Sequence, residues 1–282
     1  MNWNPKLRRR PTLIALFAGY ALLMLFGGCA NKFILFPSRQ PIDAVSAKRV
    51  LVPTSGGRNV EVWVDRSSGA VATEPQAYVI EFTGNATRAE QVASFSAMRW
   101  GARPIEMWMV NYPGYGGSDG SADLGAIPPA ALAVYDHVAK VAGKRPIFLA
   151  GNSLGTTAAL YLATQRPAAG LILQNPPAIR SLILSKFGWW NLWLLAGPVA
   201  LQVPGELTSP DNAAKVRAPA VFILADDDDF VVPANQRKVV DAYAGPKREI
   251  HMAGGHNDSV HGEAERELQG GLDWIWESIK KN

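Results

Sequence analysis

The segment PIFLAGNSLGTTAALYLATQ, residues 146–165, joins an apolar run to an Ala/Leu-rich helical pattern through Gly151-Asn152-Ser153-Leu154-Gly155 alone. A strand that reverses this sharply into a helix leaves no room for side chains beside the central residue, so glycines flank it two positions away on either side. The serine then stands in a strained conformation with its hydroxyl exposed. The helix that follows offers unpaired first-turn N–H groups where charge would develop on a substrate oxygen. The pattern predicts a nucleophilic serine at Ser153; the competing reading is a strand–turn–helix connection with an ordinary turn serine.

Around this turn, short apolar runs alternate with helical patterns. Strands are expected at 49–53, 60–65, 77–82, 106–111, 147–151, 170–174, 220–225 and 248–252, and helices at 87–100, 129–142, 156–165, 234–243 and 263–280. This is an α/β arrangement: an eight-stranded, mostly parallel sheet with helices on both faces. Residues 60–64 alternate apolar and polar, which suits a half-exposed antiparallel start, whereas 147–150 is uninterrupted and central. Residues 69–75 read as a hairpin loop.

The chain has 282 residues, of which 48% are hydrophobic, and a formal charge of +4. Length and composition suit one large core over residues 33–282. Lys6, Arg8, Arg9 and Arg10 account for the excess charge, so the remainder is near neutral and no nucleic-acid partner is expected. That basic cluster, the apolar run 13–26 and the small residues before Cys29 together read as a targeting element over 1–29. Three outcomes are open: lipidation of Cys29 in a bacterial lipobox, retention as a membrane anchor, or cleavage to a soluble export form. The apolar run is short for a membrane span. All three place the remaining chain outside the cytoplasm or against a membrane.

The segment LILSKFGWWNLWLLAGPVALQV, residues 182–203, breaks the alternation between the sixth and seventh strands. It is apolar almost all round and carries Trp189, Trp190 and Trp193. Within a cap-like insertion over 180–205, it reads as a cover presenting an acyl-chain pocket, as a segment dipping into lipid, or as plain core. Lys186, Asn191, Pro198 and Pro204 argue against a span.

A serine nucleophile needs a base oriented by a carboxylate. Of four histidines, His137 falls on a helix and His251 within the last strand. His256, in Gly254-Gly255-His256-Asn257-Asp258, lies just past that strand at the sheet edge where sites of parallel sheets gather; His261 is the reserve. The run Asp226-Asp227-Asp228-Asp229 follows the seventh strand. At least one of these acids is expected to face the histidine. They do not form a Ca²⁺ loop, lacking the alternating acids, glycine and distal glutamate. No cysteine or histidine spacing suits zinc, and the glycine-rich turn 114–120 has no phosphate-loop lysine, so neither metal nor cofactor is expected.

Four segments in this order, GNATRAEQ (84–91), NYPGYGGSDG (111–120), GNSLG (151–155) and GGHND (254–258), resemble the α/β-hydrolase superfamily, in particular its Bem46-type and ABHD17-like branch. The resemblance covers roughly residues 33–280. It implies Ser153 as nucleophile, His256 as base, and Asp229 as acid, because the family's acid stands four residues before the proline of a D-x-x-V-P pattern. It implies oxyanion donors at the N–H groups of Leu154 and Asn85, although relatives carry histidine where this chain has Thr83. The turn 112–117 would shape the floor of the site. The expected chemistry is hydrolysis of a small-molecule ester or thioester, with a lipidic or acylated substrate favoured by the N-terminus and the Trp-rich segment. A peptidase and a non-catalytic binding protein of the same fold are the rivals.

Overall fold

A computed structural model of the protein describes residues 28–191 and 193–280, together with Thr12, residues 14–20 and Leu22. The basic cluster Lys6 to Arg10 lies outside the described residues. One eight-stranded sheet organises the rest, with strands β1 (Lys48–Pro53), β2 (Asn59–Arg66), β3 (Ala77–Phe82), β4 (Ile105–Val110), β5 (Ile147–Asn152), β6 (Leu171–Gln174), β7 (Ala220–Ala225) and β8 (Lys247–Met252). Their spatial order is β1-β2-β4-β3-β5-β6-β7-β8. β1 pairs antiparallel with β2, and β2 with β4; every other pairing is parallel. The eight expected strands are all present, within a residue or two at their ends. Residues 69–75 are a crossing rather than a hairpin loop, since β2 pairs with β4 and not with β3.

Period-two side-chain alternation divides the core between the two faces of the sheet. Ile80, Leu149 and Phe222 face the helices Ile127–Ala142, Leu154–Gln165 and Pro233–Ala242. Their strand neighbours Val79, Phe148 and Val221 face the C-terminal helix Gly262–Ser278, where Trp276 stacks with Phe148 at 6.2 Å between ring centroids. Helix Ile127–Ala142 begins with prolines in its first turn, where no intrahelical N–H is lost, and stops at Gly143, whose φ of 64° suits glycine. Because β3, β5, β6, β7 and β8 all run the same way, the loops leaving their C-terminal ends share one edge.

Between β6 and β7 the chain forms an inserted segment: helices Ile179–Phe187 and Ala196–Leu201 with a 3₁₀ turn Trp189–Asn191 between them. The plain-core reading of its tryptophans fails, because Trp189, Trp190 and Trp193 are 70%, 58% and 52% exposed, while Leu182, Ile183 and Val199 beneath them are buried. No helix among the described residues is long and apolar enough to cross a membrane.

Glu81 of β3 shares its face with Val79, and burial pushes its carboxyl up to about 7 despite Arg99 and a 3.4 Å hydrogen bond from Ser96 Oγ. A carboxyl raised on folding stabilises the protein fully below its unfolded value, and the contribution is lost as pH rises through the folded value. The loss is on the order of 3 kcal/mol for a shift of this size. Thermal unfolding should therefore show Glu81→Gln gaining stability over the parent at pH 8 and little or none at pH 4.5; an equal difference at both pH values contradicts this.

Candidate active site

At the C-terminal end of β5 the chain turns into helix Leu154–Gln165 through Ser153, whose φ of 50° and ψ of −119° lie outside the regions most residues adopt. The neighbouring glycines permit the turn. A Cβ on Gly155 would stand 2.0 Å from the carbonyl oxygen of Phe82 on β3, and one on Gly151 would stand 2.4 Å from the carbonyl carbon of Gly155. Both contacts are to backbone, so neither could be relieved by moving a side chain. Ser153 N–H donates to Gln174 O at 2.8 Å, while Ser153 O accepts from Thr156 N at 3.0 Å and from Thr156 Oγ1 at 2.7 Å. These bonds hold the strained residue on both sides.

His256, from the loop after β8, places Nε2 2.9 Å from Ser153 Oγ and Nδ1 2.7 Å from Asp228 Oδ2. The Asp228 side chain is 0% exposed and that of His256 12%. Asp228 Oδ1 accepts from the N–H groups of Phe230 at 2.9 Å and Val231 at 2.7 Å, and Oδ2 accepts also from Gln236 Nε2 at 3.2 Å. The buried carboxylate is thus fully supplied with donors and fixed in orientation.

The acid beside the histidine is therefore Asp228, which corrects the expectation of Asp229. Asp229 is exposed, and its backbone carbonyl accepts from Lys186 Nζ at 2.9 Å. Two valines precede Pro233, and the buried one is Val231; Val232 is exposed and only leads into helix Pro233–Ala242. Counted from the buried valine, D-x-x-V begins at Asp228; counted from the proline, the register slips by one. Asp226 is also occupied elsewhere, since its Oδ1 lies 2.7 Å from Nδ1 of the exposed His251. His137 packs against Trp108, 5.5 Å between ring centroids, and His261 Nδ1 lies against Ser259 O. Neither reaches Ser153.

The N–H groups of Leu154 and Asn85 donate to no protein acceptor among the described residues. Gly84 lies against the elbow, for a Cβ built on it would be 3.8 Å from Ser153 Cβ. The loop holding Thr83 to Asn85 is fixed from below by the turn after β4: Tyr112 OH donates to Thr83 O at 2.7 Å and Tyr115 OH to Asn85 Oδ1 at 2.8 Å. Burial pushes the Tyr115 phenol up to about 12, so it remains a donor at neutral pH. From the N-terminal side, Phe36 N–H donates to Asn85 Oδ1 at 3.1 Å and to Tyr115 OH at 3.0 Å, and Asn85 Nδ2 donates to Ile34 O.

Asn175, just past β6, completes the arrangement and is not singled out by any sequence pattern. Fully buried with a φ of 49°, it receives the Ala225 N–H at 3.0 Å on Oδ1 and donates from Nδ2 to His256 O at 3.1 Å. It ties the end of β7, which leads to Asp228, to the loop bearing His256. The only signal in the sequence is an asparagine at a strand end, a residue that tolerates left-handed backbone better than most. No group of acidic, histidine or cysteine side chains suited to a metal occurs among the described residues. A cleft of about 750 Å³ lies away from all of this, at the opposite sheet edge beside Pro146 and Pro219.

No family profile matches the chain. An uncharacterized protein of Mycobacterium tuberculosis, Rv2307c, is 28% identical over 256 residues, which span 87% of this chain and 86% of that protein. The lysophosphatidylserine lipase ABHD12 of Xenopus tropicalis is 28% identical over 154 residues, covering 50% of this chain and 39% of its own. Among solved structures, Est1E of Butyrivibrio proteoclasticus with bound ferulic acid superposes with a TM-score of 0.66 at 18% identity, over 82% of this chain and 99% of that one. A puromycin-hydrolyzing peptidase of M. tuberculosis superposes at 0.63 with 16% identity, over 82% of this chain and 39% of that one. The chain has the α/β-hydrolase fold.

Replacing Asn175 with alanine leaves Ala225 N–H and His256 O without partners, at a cost of about 1–3 kcal/mol for buried groups. Urea unfolding should show Asn175→Ala destabilised within this range; stability equal to the parent would show that these bonds do not hold the loop.

Proposed function

We propose that the protein is a serine hydrolase that cleaves a carboxylic ester or thioester through an acyl-enzyme. The observation that carries this reading is the continuous chain of hydrogen bonds from Asp228 through His256 to Ser153. Ser153 Oγ attacks the substrate carbonyl carbon as its proton passes to His256 Nε2. The oxyanion is held by the N–H groups of Leu154 and Asn85. Collapse breaks the bond to the alcohol or thiol, which takes the proton from His256. Water then attacks the acyl-enzyme with His256 as base, releasing the acid and restoring Ser153. Asp228 keeps the imidazole in the required tautomer and stabilises its charged form.

The order of the four motifs supports placing the chain beside the Bem46-type and ABHD17-like hydrolases. The esterase neighbour supports ester chemistry by analogy of fold, while the peptidase neighbour is much longer than this chain and supplies less of a parallel. A pure binding role would leave the aligned serine, histidine and aspartate without a purpose. For location we propose a membrane surface on the exported side, on the strength of the basic, apolar and small-residue order ahead of Cys29.

Hydrolysis of nitrophenyl acetate separates the acid assignments. Ser153→Ala and His256→Ala should each remove most activity, and Asp228→Asn should lower kcat by roughly 10³–10⁴-fold through loss of the tautomer. Asp229→Asn should stay within about twofold of the parent; the reverse pattern for the two aspartates would restore the other register. For location, Cys29→Ser should shift the protein from the membrane to the soluble fraction of a bacterial host if Cys29 carries lipid, and unchanged fractionation contradicts lipid anchoring.

A further inference from the structure

The chemistry above leaves two features unused: the N-terminal strap around helix Cys29–Ile34, and the Trp-rich cover. They face one another across a cavity of about 430 Å³, a size typical of small-molecule sites. Phe33, Ile34 and Phe36 form one wall, and Ile183, Phe187 and Val199 belong to the other. Every residue lining it is apolar.

Both walls are tied to the catalytic groups. The strap is bound to the oxyanion loop through the three hydrogen bonds joining Ile34 and Phe36 to Asn85 and Tyr115. The cover is bound to the other side of the site: Lys186, between Ile183 and Phe187, donates to Asp229 O and stands 4.5 Å from the centroid of Phe230, whose ring lies 5.2 Å from that of His256. The cavity therefore lies between an arm fixed to the oxyanion donors and an arm fixed to the acid–histidine loop. Its rim is open, with Phe33 65%, Phe36 58% and Trp190 58% exposed.

We propose that this cavity receives the hydrocarbon chain of a fatty acyl ester or thioester, and that strap residues 33–36 determine the chain length accepted. The proposal rests on the serine-hydrolase reading. A wall built of apolar and aromatic side chains gives almost no partner to a hydroxylated, aminoacyl or sugar-bearing group, whose burial there would leave hydrogen bonds unmade. A methylene chain loses nothing on entry, and each methylene buried should raise kcat/KM by about fourfold until the cavity is filled. The strap also makes the N-terminal segment part of the site, because the residues that wall the cavity hold Asn85 through their own backbone.

The test uses the full chain with nitrophenyl esters from acetyl to palmitoyl, alongside labelling by a small fluorophosphonate that reports a folded, reactive Ser153. In the parent, kcat/KM should climb with chain length and then level off. Ala196→Trp, which fills the cavity from the cover side, should lower the decanoyl-to-acetyl ratio of kcat/KM at least tenfold. Phe36→Ala keeps the backbone bonds to Asn85 and Tyr115 while enlarging the cavity, and should move the plateau to longer chains. If Ala196→Trp fails to label, its fold is lost and Phe36→Ala decides alone. A chain-length profile unchanged in a variant that labels normally overturns the proposal. A parent that neither labels nor hydrolyses any ester overturns the serine-hydrolase reading itself, and this proposal with it.

Discussion

The site depends on how closely helix Leu154–Gln165 approaches the sheet. With Gly155 against the carbonyl of Phe82 and Gly151 against Gly155, the chain has no path from strand to helix except through a residue with positive φ. Ser153 accepts that conformation at a cost of about 1–3 kcal/mol. Bonds to Gln174 and Thr156 hold it there, on a strand flanked by β3 and β6 and buried on both faces. The same approach sets the first turn of the helix beside the serine hydroxyl. Ser153 and the Leu154 N–H are thus positioned by one steric contact.

Around that rigid centre the other groups reach the site on loops, and each loop is fixed by a buried side chain from elsewhere. Asn175 links the loops after β7 and β8, and Tyr112 and Tyr115 support the loop after β3. The tyrosine turn is itself set on a buried polar cluster in which Glu61 accepts from Gly117 N–H, Arg49 and Asn111. Burial opposes the charge on Glu61, yet these donors outweigh it and hold its carboxyl below the usual range. A Cβ on Gly116 would meet Glu61 and Asn111 within 2.5 Å, which explains why the turn carries glycine there. Polar groups buried in this way specify one loop geometry, because any other leaves them unpaired.

The sheet was legible in the sequence because its strands carry strong apolar patterns and the elbow has a steric signature. Ser153 and His256 were legible for related reasons: one sits in a turn that admits few sequences, the other just past the last strand. The acid was not, because four consecutive aspartates offer composition without register. What separates Asp228 from Asp229 is the burial of Val231 over Val232, a distinction between identical side chains that only packing makes. Asn175 was hidden because its role is to join two loops distant in sequence, and no local pattern encodes that. The loop 69–75 has the composition of a hairpin turn, but adjacency along the chain does not become pairing, because β4 lies between β2 and β3. Up to Cys29 the sequence reads as a targeting signal, and nothing local in it encodes the hydrogen bonds that tie Ile34 and Phe36 to Asn85, more than fifty residues away from Cys29 in sequence.

The central claim is that Ser153 carries the acyl group during turnover. Acid quenching of the protein during steady hydrolysis of a nitrophenyl ester, followed by peptide mass spectrometry, measures this directly. The account predicts an acyl adduct on the peptide containing Ser153, absent from Ser153→Ala. Sustained hydrolysis with the adduct on another residue, or at the parental rate in Ser153→Ala, would contradict it.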